Sequence, residues 1–194
     1  EVVEEAAYTW FNRLMAVKIM QENGWIDRVL DFESEGVRVP LLVANARRGV
    51  FPAMSVNREQ GLRELLEYDT KTTEQFNLLI TDFCKGVPVI NKCFGKISDY
   101  TELLLPTDVL SEGGIVDMIN HTEFISEDDF KQSELIGWLY QFYISEKKDA
   151  VFASFKDKKK AEAEDIPAAT QIFTPNWIVK YMVQNTVGRI YLDN

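Results

Sequence analysis

Apolar side chains recur along most of this chain three and four residues apart, a spacing that restricts it to helices packed through one face. Val3, Ala7, Trp10, Leu14 and Val17 form one such stripe, which predicts a helix over residues 3–21 with Asn23-Gly24 as a left-handed stop. Arg13 and Lys18 lie off the stripe and are expected to face outward. Helices are expected over 58–68 and 73–84, packed on each other. The second carries Phe76, Leu79, Ile80 and Phe83 and ends before Gly86 and Pro88. Ser111-Glu112 can cap a helix through about residue 120. Ser126 with Asp129 resembles a capping box and is expected to open the strongest helix, over 127–148, anchored by Trp138, Leu139, Phe142 and Tyr143. Gly137 inside it costs about 1 kcal/mol against alanine, which points to close packing of another backbone. Residues 25–32 read as a short amphipathic segment, and 37–43, β-branched and interrupted by Pro40, as an irregular or edge element.

Composition narrows the functional classes. With 194 residues, 46% of them hydrophobic, the chain can bury a real core. It has no apolar run long enough to span a bilayer, and its opening Glu-Val-Val-Glu-Glu has the wrong sign for a secretory signal, so a soluble cytoplasmic protein is expected. Cys84 and Cys93 are too few for a zinc site and are read as reduced and structural; His121 is the sole histidine, which excludes metal sites built on several imidazoles.

A net charge of −10 argues against a broad DNA-backbone grip. The acid is concentrated: Asp99, Glu102, Asp108, Glu112, Asp117, Glu123, Glu127, Asp128, Asp129 and Glu134 face Lys131 alone. That run reads as a solvated surface, a protein-docking face or a DNA-like decoy. Arg47, Arg48, Arg58 and Arg63 form a basic concentration that either touches phosphate or pairs with nearby acids. Glu146-Lys147-Lys148 lacks the upstream Asp and β-hairpin that a metal-dependent nuclease needs. Residues 158–165 hold no large apolar side chain and mark a domain boundary.

The richest local signal lies after that boundary. In Gln171-Ile172-Phe173-Thr174-Pro175, Thr174 is placed to cap a helix and Pro175 to fill its first position, while Ile178, Val179, Met182 and Val183 predict a buried face. A helix N-terminus so fixed suits a carboxylate, though an ordinary capped helix start has the same chemistry.

This string resembles motif X of the amino-methyltransferases that modify adenine in DNA, as in type I and type IIG restriction-modification enzymes. Three blocks, Ala7-Tyr8-Thr9-Trp10-Phe11-Asn12-Arg13-Leu14, Glu134-Leu135-Ile136-Gly137-Trp138-Leu139-Tyr140-Gln141-Phe142-Tyr143 and Glu164-Asp165-Ile166-Pro167-Ala168-Ala169, resemble the N-terminal region of PglX-type methyltransferases of BREX phage-defence systems. Between residues 25 and 125 the likeness is patchy. The resemblance implies a mainly α fold: a helical N-terminal domain over 1–165, and over 166–194 the motif X helix that starts a Rossmann-like methyltransferase domain. It implies S-adenosylmethionine as cofactor, with Phe173, Thr174 and Pro175 along its methionine end and Gln171 orienting the turn. Duplex DNA and other defence proteins are the implied partners. The glycine loop after a first strand and the Asn-Pro-Pro-Tyr loop are absent from these residues, so the segment is expected to be an enzyme fragment inactive alone. The rival reading from another class is an acidic helical interaction module or DNA mimic.

Overall fold

The computed structural model describes residues 2–52, 56–94, 97, 104–121, 125–132, 134–156, 162–163, 165–170 and 172–193. Helix accounts for 69% of the chain and strand for 4%, so the mainly α expectation holds, with one small hairpin added. The residues cluster into two compact units, Glu1–Lys131 and Gln132–Asn194, each taken by itself below.

Helix α1, Val2–Glu22, is the spine of the first unit. Trp10, Leu14 and Val17 are almost wholly buried, as their spacing demands, whereas Val3 and Ala7 are exposed. A Schellman stop ends the helix: the Gly24 N–H donates to Gln21 O, the Trp25 N–H donates to Met20 O, and Gly24 sits at φ 71°. Arg13 and Lys18 do not face outward; they are 1% and 6% exposed. Helical wheels assign direction by polarity, but residues 13–19 of α1 are buried on every side, and its cations find partners inside: Arg13 donates to Phe94 O at 3.0 Å and Lys18 to Asp31 at 2.8 Å.

Residues 25–32 form no helix, and Val29 and Leu30 are buried in an irregular stretch leading to strand β1, Phe32–Ser34. It pairs antiparallel with β2, Val37–Pro40, across a turn with Gly36 at φ 76°. Pro40, which can donate nothing to a ladder, ends the strand and opens α2, Leu41–Arg47. Helices α3, Val56–Leu66, and α4, Thr72–Gly86, pack on each other, and α4 also packs on α2. Phe76, Leu79 and Ile80 are fully buried and Phe83 is half-buried. The wholly buried Gln75 accepts from the Arg47 guanidinium and donates to Leu65 O and Tyr68 O, so it satisfies one carbonyl in the last turn of α3 and one just past it.

Pro88 starts a further helix, α5, Pro88–Phe94. Helix α6, Ile115–His121, begins later than Ser111-Glu112 would allow, because 104–114 is occupied by tight turns. At Gly114 an added Cβ would meet Asp108 O at 2.4 Å and Ser111 O at 2.9 Å. The Ser126–Asp129 capping box is present with both of its arms, yet it caps only the one-turn helix α7, Glu127–Phe130. The long helix expected from residue 127 is therefore two helices. Phe130 is buried in the first unit and Leu135 in the second, with only polar residues between, so no apolar anchor carries the helix through.

The second unit is built on α8, Leu135–Lys156. Its buried residues are Leu135, Ile144 and Val151, whereas Trp138 and Phe142 are exposed and Leu139 is half-buried; the Tyr143 side chain lies outside the described residues. Trp138 and Phe142 are thus not its anchors. Helix α9, Ile166–Thr170, packs against α8 through Ala168. Helices α10, Asn176–Asn185, and α11, Val187–Asp193, pack on each other and hold no buried residue among those described. The face expected from Ile178, Val179, Met182 and Val183 is uncovered: Ile178 is half-buried and the other three are exposed.

Candidate functional site

Most ionisable side chains of the first unit are engaged internally. Lys18 donates to Asp31 at 2.8 Å and Asn120 at 3.2 Å and pairs with Glu22 at 2.9 Å, while Arg28 contacts Glu22 at 2.9 Å and Asp31 at 2.6 Å. Burial pushes the Glu22 and Asp31 carboxyls up, but hydrogen bonds and charge from Lys18, Gln21 and Arg28 outweigh it and hold both below their ordinary values. The network ties α1 to residues 28–31 and α6. The arginines of the basic concentration are paired: Arg48 with Glu33, Arg58 with Asp82, Arg63 with Glu59, and Arg47 with Gln75 and Thr72. They offer no cluster of open cations for phosphate.

The acidic run is also partly spent. Asp117 accepts from the Gly113 N–H, contacts His121 Nδ1 at 2.9 Å and lies near Arg38; Asp128 pairs with Lys131 and Asp129 closes the capping box. Asp99, Glu102 and Glu123 lie outside the described residues. Burial raises the Cys84 thiol to about 12, so Cys84 is an inert core residue, whereas Cys93 is exposed. No group of three His, Cys, Asp or Glu among the described residues is arranged to hold a metal, and no described helix is long and apolar enough to cross a membrane.

The second unit contains a larger cavity than the cleft of about 250 Å³ beside Arg47 and Arg63 in the first. The turn over 172–175 is laid along α8, beside an open groove of about 590 Å³ lined by Tyr140, Gln141, Ile144, Thr170, Ile172 and Phe173. Phe173 is half-buried, Thr174 and Pro175 are exposed, and Gln171 lies outside the described residues. The local reading of Thr174 is corrected. Pro175, at φ −54° and ψ 141°, is the N-cap of α10 and has no side-chain acceptor of its own, so Thr174 falls one residue too early. Extended backbone at Pro175 moves the first helical position on to Asn176.

The capping is done from α8 instead. Glu134 Oε1 accepts from the Asn176 N–H at 2.5 Å, a hydrogen bond onto an orphan donor at a helix N-terminus. One turn on, Gly137 leaves room for the Phe173 ring: a Cβ there would lie 2.1 Å from Phe173 Cε2. The close neighbour that the glycine accommodates is therefore a side chain, where a backbone was expected. A further turn on, Gln141 Nε2 reaches Phe173 O at 3.5 Å, at the limit of a hydrogen bond. Glu134, Gly137 and Gln141 stand at i, i+3 and i+7, one helical face. Sequence reasoning assigned none of them to the turn, although all three fall in one of the blocks that carry the family resemblance. The sequence signal was that face itself: a glycine flanked at helical spacing by an acid and an amide, in a helix otherwise rich in large residues.

No family model matches the chain. Two proteins are similar to nearly all of it: the adenine-specific methyltransferase BrxX of Escherichia coli O9:H4 (strain HS), 40% identical over 99% of this chain, and the adenine-specific methyltransferase PglX of Lacticaseibacillus casei (strain Zhang), 37% identical over 99%. The likeness thus extends well beyond the three blocks and includes the region between 25 and 125. The chain spans 16% of the length of each relative. It is therefore a homologue of one segment of the BrxX and PglX adenine-specific methyltransferases.

Proposed function

We propose that this chain is the N-terminal part of an S-adenosylmethionine-dependent enzyme that methylates adenine N6 in duplex DNA, in a restriction-modification or phage-defence system of the cytoplasm. The observation that carries the reading is 40% and 37% identity over 99% of the chain to two adenine-specific methyltransferases of which it spans 16%. Residues 1–165 are the helical module and 166–194 the opening of a Rossmann-like methyltransferase domain, with α8 as the support on which the turn rests. Other defence proteins dock on the helical module.

The turn fits such a cofactor. Thr174 and Pro175 are exposed at the start of α10, and Phe173 borders a groove with mainly apolar walls. Phe173, Thr174 and Pro175 would hold the methionine end, with Gln171 orienting the bend. The group supplies the transferred methyl, and these residues bind and orient it. With no glycine loop and no Asn-Pro-Pro-Tyr loop in the sequence, the segment alone transfers nothing. The uncovered apolar side chains of α10 and α11, among them Trp177, Met182, Ile190 and Leu192, support the same reading, because they suit burial against a sheet.

Calorimetry with S-adenosylmethionine tests the proposal. The complete enzyme is expected to bind saturably and to methylate adenine N6, and residues 1–194 alone are expected to do neither. A complete protein that gives no binding heat would overturn it.

A further inference from the structure

Resting on that reading, we infer that Glu134, Gly137 and Gln141 are positioning residues. They form a three-point clamp on α8 that holds the 172–176 turn in its binding shape, so the helix under the turn sets cofactor affinity. Each contact acts on a different part of the turn. Glu134 takes the Asn176 N–H at 2.5 Å, Gly137 admits the Phe173 ring, and Gln141 approaches Phe173 O at 3.5 Å. The turn supplies no side-chain cap of its own, since its N-cap residue is Pro175, which has no polar side chain.

The clamp also changes which groups are open to a ligand. The Glu134 carboxylate already occupies the Asn176 amide, so that donor is closed to the acid end of an amino-acid ligand. Glu134 acts through hydrogen-bond acceptance and not through charge, because its bonded oxygen is what fixes the helix start. A carboxamide in its place keeps an acceptor oxygen and removes the negative charge.

Two measurements test the inference. In residues 1–194, exchange of the Asn176 amide with solvent is followed by NMR in wild type, E134A and E134Q. E134A is expected to exchange about tenfold faster, as loss of the hydrogen bond predicts, and E134Q to stay near wild type. In the complete enzyme, E134A and G137A are expected to raise the cofactor KM about tenfold with kcat within about twofold, and E134Q to restore KM. G137A adds a helix-favouring methyl to α8, so its melting temperature is expected not to fall while the ring is displaced.

Unchanged Asn176 exchange in E134A overturns the clamp. An unchanged KM, or a loss confined to kcat, overturns its role in affinity. A wild-type enzyme that binds no cofactor sinks the parent reading and with it the affinity role, while amide exchange still decides the clamp.

Discussion

Replacing Lys18 by methionine isolates what the buried charge network contributes. The Lys18 side chain is 8% exposed, and its ammonium lies 2.9 Å from Glu22 and 2.8 Å from Asp31, whose side chains are 1% and 19% exposed. Methionine keeps most of the stem's volume while removing the ammonium, which also lies 5.8 Å from the centre of the Phe130 ring, so cavity effects are small. Breaking a buried pair by deleting one partner costs about 3–5 kcal/mol, since the remaining charge stays desolvated. Arg28 still reaches both carboxylates but is half exposed, so a value near the low end, about 3 kcal/mol, is expected. That corresponds to roughly a hundredfold shift in the folding equilibrium.

The assay is urea denaturation followed through the Trp10 indole N–H resonance, because Trp10 is 2% exposed in the first unit and reports on that unit alone. R28M is the internal control. It removes a half-exposed charge from the same carboxylates and is expected to cost less than about 1 kcal/mol. A K18M loss below about 1 kcal/mol, or one no larger than that of R28M, would refute the reasoning.

The same network predicts a pH dependence. Glu22 and Asp31 have folded pKa values below their unfolded ones, so their contribution is present above the unfolded values, near pH 4, and is lost as pH falls through the folded values. Acid unfolding of the first unit should therefore begin at higher pH in K18M than in wild type, as circular dichroism titration would show. Gly114→Ala must push against three carbonyl oxygens at 2.4–2.9 Å and should cost about 1–3 kcal/mol, whereas Gly61→Ala, in α3 with open space around it, should gain up to about 1 kcal/mol; paired urea melts decide both. In native protein at pH 8, iodoacetamide should modify the exposed Cys93 and spare Cys84, whose thiol titrates near 12; mass spectrometry showing equal labelling would contradict the burial. Ser126→Ala should return the depressed Asp129 carboxyl part of the way towards ordinary values, because it removes the hydroxyl's hydrogen bond, the larger cause, and keeps the backbone N–H's; carboxyl carbon NMR titration reads the change.

The elements legible in the sequence are those whose signals are local. The α1 stop at Asn23-Gly24, the Phe76, Leu79 and Ile80 face of α4 and the Ser126–Asp129 box each depend on residues within one or two turns, and each is present. The inward Lys18 was not legible, because its partners Asp31 and Asn120 lie 13 and 102 residues away. The break between α7 and α8 has no proline or glycine to announce it and arises because Phe130 and Leu135 are buried in different units.

At the candidate site the same division holds. Sequence alone determined that a turn-and-helix stands at 172–185 and that its string resembles a methyltransferase motif, since both follow from consecutive residues. Only the tertiary structure decided how that turn is held. Pro175 moves the helix start past Thr174, and the orphan amide is met by Glu134, 42 residues upstream. The physical reason is that capping needs an acceptor at hydrogen-bond distance, and folding alone brings one there from another helix.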